Sequence, residues 1–216
     1  MKTRITFLFI ILITGMLSCI SSTAQTQKII SLPAPQTDGG MPLMKALKSR
    51  HTTREFSEIK LSDQLLSNLL WAAWGINRPD TKKRTAPSAM NSQEIEIYVS
   101  TPSGVFLYDA EKNSLIQISA DDVRDKTGIQ DFVKTAPVNL VFVADYKKMS
   151  SPKDEDKEKY AFADAAFISE NVYLFCASEG LVTGVRAYID KDACSAALKL
   201  KPQEHVILGQ AVGYPK

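Results

Sequence analysis

The chain has 216 residues, 44% hydrophobic and 23% charged, with ten glycines and ten prolines. That balance excludes a disordered tail, a collagen-like repeat and a long coiled coil, and the length suits one domain. With 26 basic against 24 acidic side chains the net charge is +2, so no basic excess points to nucleic acid.

Met1-Lys2-Thr3-Arg4 is followed by an almost wholly apolar run from Ile5 to Leu17 and then by small residues up to Ala24. This is the three-part layout of a secretory signal peptide. The run is shorter than the ~20 residues a spanning helix needs, so residues 1–24 are expected to be removed and no membrane span to remain. The mature protein is then expected outside the cytoplasm, in the periplasm. Met16-Leu17-Ser18-Cys19 is similar to a bacterial lipobox, but Met16 and Leu17 stand where that pattern wants leucine and a small residue. Cleavage after Ala24 is therefore preferred to a lipoprotein acylated at Cys19. It removes Lys2 and Arg4 and leaves a formally neutral chain.

Residues 25–40 are polar, carry Pro33, Pro35 and Gly39-Gly40, and read as an extended leader to a domain spanning 41–216. Residues 41–48 have helical spacing at Met41, Met44 and Leu47. Ser62 can cap a helix to about Trp74, with Leu61, Leu65, Leu66, Leu69, Leu70 and Ala73 on its apolar face and Gly75 closing it. Residues 94–100 alternate as a strand with one buried side, and 105–108 and 115–118 read as short strands around a turn. The continuous apolar run 138–144 fits a central strand. Residues 147–159 read as a charged, solvated loop, with a lid over a site as the alternative. Residues 160–178 form a helix apolar on nearly all sides, to be covered in the core or in a dimer interface. Strands at 182–189 and 206–212 flank a short helix at 191–198. Cys176 and Cys194 could be joined in an exported protein, but Cys176 lies in the apolar helix, where a free thiol is expected. The order of elements is α+β.

Several chemistries are excluded. No two glycines stand two apart, so the dinucleotide fingerprint is absent, as are the P-loop and the nucleophile elbow G-x-S-x-G. His51 and His205 are the only histidines; they give a Ser-His-Asp triad no local support and, with scattered cysteines, show no zinc spacing.

Two clusters remain. Arg50-His51-Thr52-Thr53-Arg54 puts two guanidiniums, an imidazole and two hydroxyls into five residues. Guanidinium forks suit a phosphate or carboxylate, and such a group can hold a phosphomonoester. A solvated basic turn with Arg54 paired to Glu55 or Glu58 would look the same. Pro87-Ser88-Ala89-Met90-Asn91-Ser92-Gln93 leads into the strand at 94. It can present hydrogen bonds to a flat heteroaromatic edge, or be a turn that satisfies its own backbone.

Taken together, the two clusters resemble the nitroreductase family of FMN-dependent oxidoreductases, where an R-H/R-S/T-x-R/K cluster precedes a P-S-x-x-N-x-Q loop leading into a strand. The likeness continues in Asp164-Ala165-Ala166 with Asn171, in Gly180-Leu181-Val182-Thr183-Gly184, and in Val212-Gly213-Tyr214-Pro215. It covers about 41–216 and looks nearest the branch containing azoline-forming dehydrogenases. The resemblance implies a central mixed sheet flanked by helices, in an intertwined homodimer with two flavins at the interface. It implies that Arg50, Thr52 and Arg54 contact the FMN phosphate and the flavin's polar edge, with His51 beside the phosphate partly through its backbone. Pro87, Ser88, Ala89, Met90 and Asn91 would line the isoalloxazine, often from the partner subunit, while Gln93 supports the loop. Val185, Arg186 and Ala187 would lie along the flavin face near N5, although Ala187 and Tyr188 stand where the family usually has glycine. A basic pair beyond G-Y-P is also replaced, so that Lys216 substitutes for it or Arg50 and Arg54 hold the anion alone.

The resemblance further implies hydride transfer through flavin N5 between an electron donor, NAD(P)H or another, and a small organic acceptor. Arg54 is the residue expected to stabilise the reduced flavin's negative charge. The rival expectation is a flavin- or ligand-binding module without turnover, motivated by the two departures.

Overall fold

The computed structural model describes residues 27–150 and 153–216; the expected signal peptide, the cut after Ala24 and Cys19 lie outside them. In chain order the strands are β1 (Ile29–Ser31), β2 (Ile76–Arg78), β3 (Lys83–Arg84), β4 (Ile95–Thr101), β5 (Gly104–Asp109), β6 (Ser114–Ser119), β7 (Val138–Asp145), β8 (Val182–Arg186) and β9 (Glu204–Gly213). The helices are α1 (Leu43–Ser49), α2 (Asp63–Trp74), α3 (Phe132–Thr135), α4 (Asp154–Glu179) and α5 (Lys191–Leu198). Seven strands form one sheet in the order β1-β6-β5-β4-β7-β9-β8, and β2 and β3 make a separate hairpin.

The sheet's position follows from period-two burial. Val138, Leu140, Phe142 and Ala144 of β7, with Ile95, Ile97 and Val99 of β4, enter the core beneath α2 and α4. Val141 and Val143 point the other way, to Tyr98 and to Cys194 and Leu198 of α5. A strand covered on both faces has no place for polar side chains, which is why β7 reads as an unbroken apolar run.

The α+β class and the central sheet flanked by helices are as expected. The mixed pairing is not: every described strand pair is antiparallel. Tight turns between β4, β5 and β6 force that arrangement, and β8 and β9, although joined through α5, also run antiparallel.

Helix α4 begins at Asp154, inside the stretch expected to be a loop. Asp154, Glu155 and Asp156 occupy its first turn, where carboxylates complement the helix dipole, and Lys159 pairs with Glu155 one turn back. Its length is about 39 Å at 1.5 Å per residue, and Gly180, at φ +70°, ends it in the left-handed conformation. Helix α2 is capped as expected, with Ser62 Oγ accepting from the Leu65 N–H at 3.2 Å. Gly75 closes α2 in an extended rather than left-handed conformation; an added Cβ there would lie 2.4 Å from the Trp71 ring. Strand β8 stops at Arg186 rather than 189, because the Tyr188 carbonyl accepts from the Ile129 N–H instead of from β9. Cys176 and Cys194 are free and buried, and burial pushes both thiols up, Cys194 to about 12. Among the described residues no helix is long and apolar enough to cross a membrane.

Candidate functional site

The basic cluster leaves the end of α1 in an extended path along the outer edge of β8, where the Thr53 N–H donates to the Thr183 carbonyl at 3.0 Å. Gly184 allows that approach: a Cβ there would stand 2.7 Å from the Thr53 carbonyl oxygen. The Arg50 guanidinium lies 5.1 Å from the centre of the Tyr173 ring on α4. Neither Arg50 nor Arg54 has a carboxylate within 4 Å among the described residues, so the self-paired basic turn is not what forms. His51 is exposed, with Nδ1 2.8 Å from the Ser49 carbonyl oxygen, which ties its ring back to the end of α1. The carbonyl of Tyr214 accepts from the Ser57 N–H at 2.9 Å. The last residues of the chain, up to exposed Lys216, therefore lie near the segment that leaves Arg54.

One chain of hydrogen bonds sets the polarity of this cluster. The Val185 N–H donates to the Tyr173 hydroxyl at 3.1 Å, and that oxygen stands 2.9 Å from Thr52 Oγ1. Tyr173 is 6% exposed, so its own proton needs an acceptor, and Thr52 Oγ1 is the one in reach. The proton of exposed Thr52 is thereby left free to point outward. The result is two unpaired guanidiniums and a hydroxyl donor on one surface, a donor set that fits a phosphomonoester.

The second cluster is a strained loop. Met90, Asn91 and Gln93 all have left-handed backbone, at φ +53°, +54° and +48°, a conformation that persists only where surroundings hold it. The Ala89 N–H donates to Asp164 Oδ2 on α4 at 2.8 Å, and the Gln93 N–H donates to Ser88 Oγ at 3.0 Å. Gln93 supports the loop as expected, its Oε1 accepting from Arg84 Nε at 2.9 Å and its amide donating to the Lys82 carbonyl. Pro87, Met90 and Asn91 are exposed, and Ser88 and Ala89 half-buried.

The segment from Val185 divides. Val185 is half-buried and Ala187 exposed, but the Arg186 side chain, 5% exposed, turns into the protein. Its Nε donates to the Thr127 carbonyl, and its Nη2 donates to Thr127 Oγ1 and Asn139 Oδ1. Gly128 and Gly209 make the space for it; a Cβ at either would meet the guanidinium at 2.4 or 3.1 Å. The Arg186 side chain thus braces β8 against β7, and it is the backbone of the segment that remains to face outward. Burial without a carboxylate partner draws the guanidinium's pKa down to about 10.

Helix α4 organises both clusters. Asp164 holds the loop and Tyr173 the basic cluster, nine residues apart, which is about 13 Å along the axis and two and a half turns. The two anchors thus leave opposite flanks of the helix. Between them Ala163, Ala166, Phe167 and Glu170 are exposed. Tyr160 of α4, Leu43, Met44 and Leu47 of α1, and Met90 of the loop are likewise exposed apolar side chains. Sequence reading missed Tyr173 as an anchor and Arg186 as a brace, since neither a Tyr on an apolar helix nor an Arg ending a strand announces its partner. A further cavity of about 420 Å³, lined among others by Gln36, Asn68, Trp71, Asn171 and Phe175, lies by the C-terminal half of α4 and includes no residue of either cluster.

The sequence model of the Nitroreductase family matches residues 47–214. A provisionally named nitroreductase of Ralstonia eutropha has a solved structure similar to this one: 40% identity, a TM-score of 0.83, and coverage of 87% of this chain and 90% of that chain. The provisionally named nitroreductase MJ1384 of Methanocaldococcus jannaschii is 29% identical over 182 residues, 79% of this chain and 90% of its own. The fold is shared with a provisionally named Desulfovibrio desulfuricans nitroreductase solved in complex with FMN, at 20% identity and a TM-score of 0.59, over 82% of this chain and 88% of that chain. The chain belongs to the nitroreductase family and is an FMN-dependent oxidoreductase.

Proposed function

We propose that this is an exported, homodimeric oxidoreductase that passes electrons from a donor to a small organic acceptor in one pocket. The observation that carries the reading is the pair of unpaired guanidiniums, Arg50 and Arg54, beside the outward-facing Thr52 hydroxyl. These residues hold the phosphate end of FMN, and Lys216, close by through Tyr214, adds a cation on the same side. Pro87, Ser88, Ala89, Met90 and Asn91 line the ring, and the backbone at Val185 and Ala187 runs along its face. When bound, FMN supplies hydride exchange at N5. Arg54 places a positive charge where negative charge develops on reduction.

Anchors on opposite flanks of α4 support a site completed across two subunits, the loop of one chain meeting the basic cluster of the other. The exposed apolar side chains Leu43, Met44, Leu47 and Phe167 are what that pairing would cover. Export removes the protein from the cytoplasmic nicotinamide pool, so the donor is a reductant other than NAD(P)H. Titration of the purified chain with FMN, followed by mixing with donors and acceptors, tests the reading. The expected result is a yellow dimer whose flavin is bleached by a donor and recovered by an acceptor. A colourless protein that takes up no FMN overturns it.

A further inference from the structure

Behind the loop lies an acid that the site does not use. Glu94, the residue that joins the loop to β4, is 0% exposed, and neither of its carboxyl oxygens has a donor. Asp164, 2% exposed, lies within hydrogen-bonding reach of it. Two buried carboxyls this close do not both ionise. Asp164 already accepts the Ala89 N–H, whereas both Glu94 oxygens lack a donor; the shared proton is placed on Glu94, where it gives the otherwise orphaned side chain a hydrogen bond to make. We propose that Glu94 and Asp164 share one proton and act together as a clamp, positioning the strained 87–91 loop that receives the flavin ring. The flavin part of this inference rests on the functional reading above; the clamp itself does not.

The charged surroundings of the pair are few. Loop 87–93 carries no titratable group. From the turn after β7, Lys148 acts on Glu94, but its ammonium is bound to Glu96 Oε1 at 2.7 Å. Burial first, then the Asp164 hydrogen bond and charge, push the Glu94 carboxyl up to about 7. Loss of that proton to solvent leaves two like charges side by side. The repulsion loosens Asp164, and with it the Ala89 hydrogen bond that ties the loop backbone to α4. Three left-handed residues then have less to hold them, and the loop relaxes.

Amide hydrogen exchange on the full-length purified chain, with and without FMN, tests the clamp, with protection expressed relative to the intrinsic rate at each pH. In the wild type, protection of Ala89 to Gln93 is expected to fall about tenfold between pH 6 and pH 9. Glu94→Gln, whose amide donates to Asp164 at every pH, is expected to keep the loop protected throughout. Asp164→Ala, which removes the acceptor of the Ala89 N–H, is expected to lose protection at both pH values; should it fail to fold, the pH profile of Glu94→Gln decides alone. FMN affinity measured in parallel is expected to follow loop protection. Equal pH profiles for wild type and Glu94→Gln would overturn the proposal. Intact pH-dependent protection in a chain that binds no FMN would instead retain the clamp and overturn the flavin reading.

Discussion

The hydroxyl of Tyr173 stands 2.9 Å from Thr52 Oγ1 and takes the Val185 N–H at 3.1 Å, so one phenol on α4 joins the basic cluster to β8. Its removal leaves the Val185 N–H without its acceptor and Thr52 Oγ1 without the donor that orients its proton. Tyr173→Phe is expected to weaken FMN binding about tenfold, the scale of one hydrogen bond to a charged group, with little change in fold. Flavin fluorescence titration reads the affinity and circular dichroism the fold.

Arg50, Arg54 and Arg186 are three arginines with two different roles. Arg50→Ala and Arg54→Ala each remove an unpaired surface cation and are expected to raise the FMN dissociation constant about ten- to a hundredfold, leaving the melting temperature nearly unchanged. Arg186→Ala strips three hydrogen bonds from a buried network and is expected to cost about 3 kcal/mol of stability. Thermal melts beside flavin titrations separate the two patterns.

Glu94 gives stability a direction with pH. Its pKa is raised on folding from 4.5 to about 7, so between those values the folded chain holds a proton that the unfolded chain has lost. Stability is therefore greatest below about pH 4.5, as far as this group is concerned, declines as pH rises toward 7, and is flat above. Glu94→Gln is expected to remove that slope and melt about 5 °C above wild type at pH 8. Melts from pH 5 to 8 check it.

Phe167 is 51% exposed on α4, between Asp164 and Tyr173. A charge there would have to be buried if two chains pair through this face. Phe167→Glu is expected to yield a folded monomer that binds FMN at least tenfold more weakly. Light scattering reads the mass, and an unchanged dimer would place the interface elsewhere.

Legibility in the sequence varied with the physics of each element. Strand β7, helix α5 and the Ser62-capped helix α2 were readable because their signals are local: unbroken burial, a short periodic face, a side-chain cap. Strands β1 and β3 have three and two residues, too few for any period, and exist through partners far along the chain. The first turns of α4 read as loop in sequence because charge reads as solvation, although the same charges satisfy a helix end. The donors of the site were visible as residue types and spacing. What sequence could not give was direction, in that Arg186 points inward because Thr127 and Asn139 await it, while Arg54 points out.

In the proposed dimer the phosphate cluster of one subunit meets the ring-lining loop of the other. Co-expression of an Arg50→Ala/Arg54→Ala chain with an Ala89→Pro chain, each separately tagged, tests it most directly, since neither homodimer is expected to hold FMN. If the halves come from different subunits, the purified mixed dimer regains one intact site and binds one FMN per dimer. A mixed dimer that binds none, beside a wild-type dimer that binds two, would contradict the account.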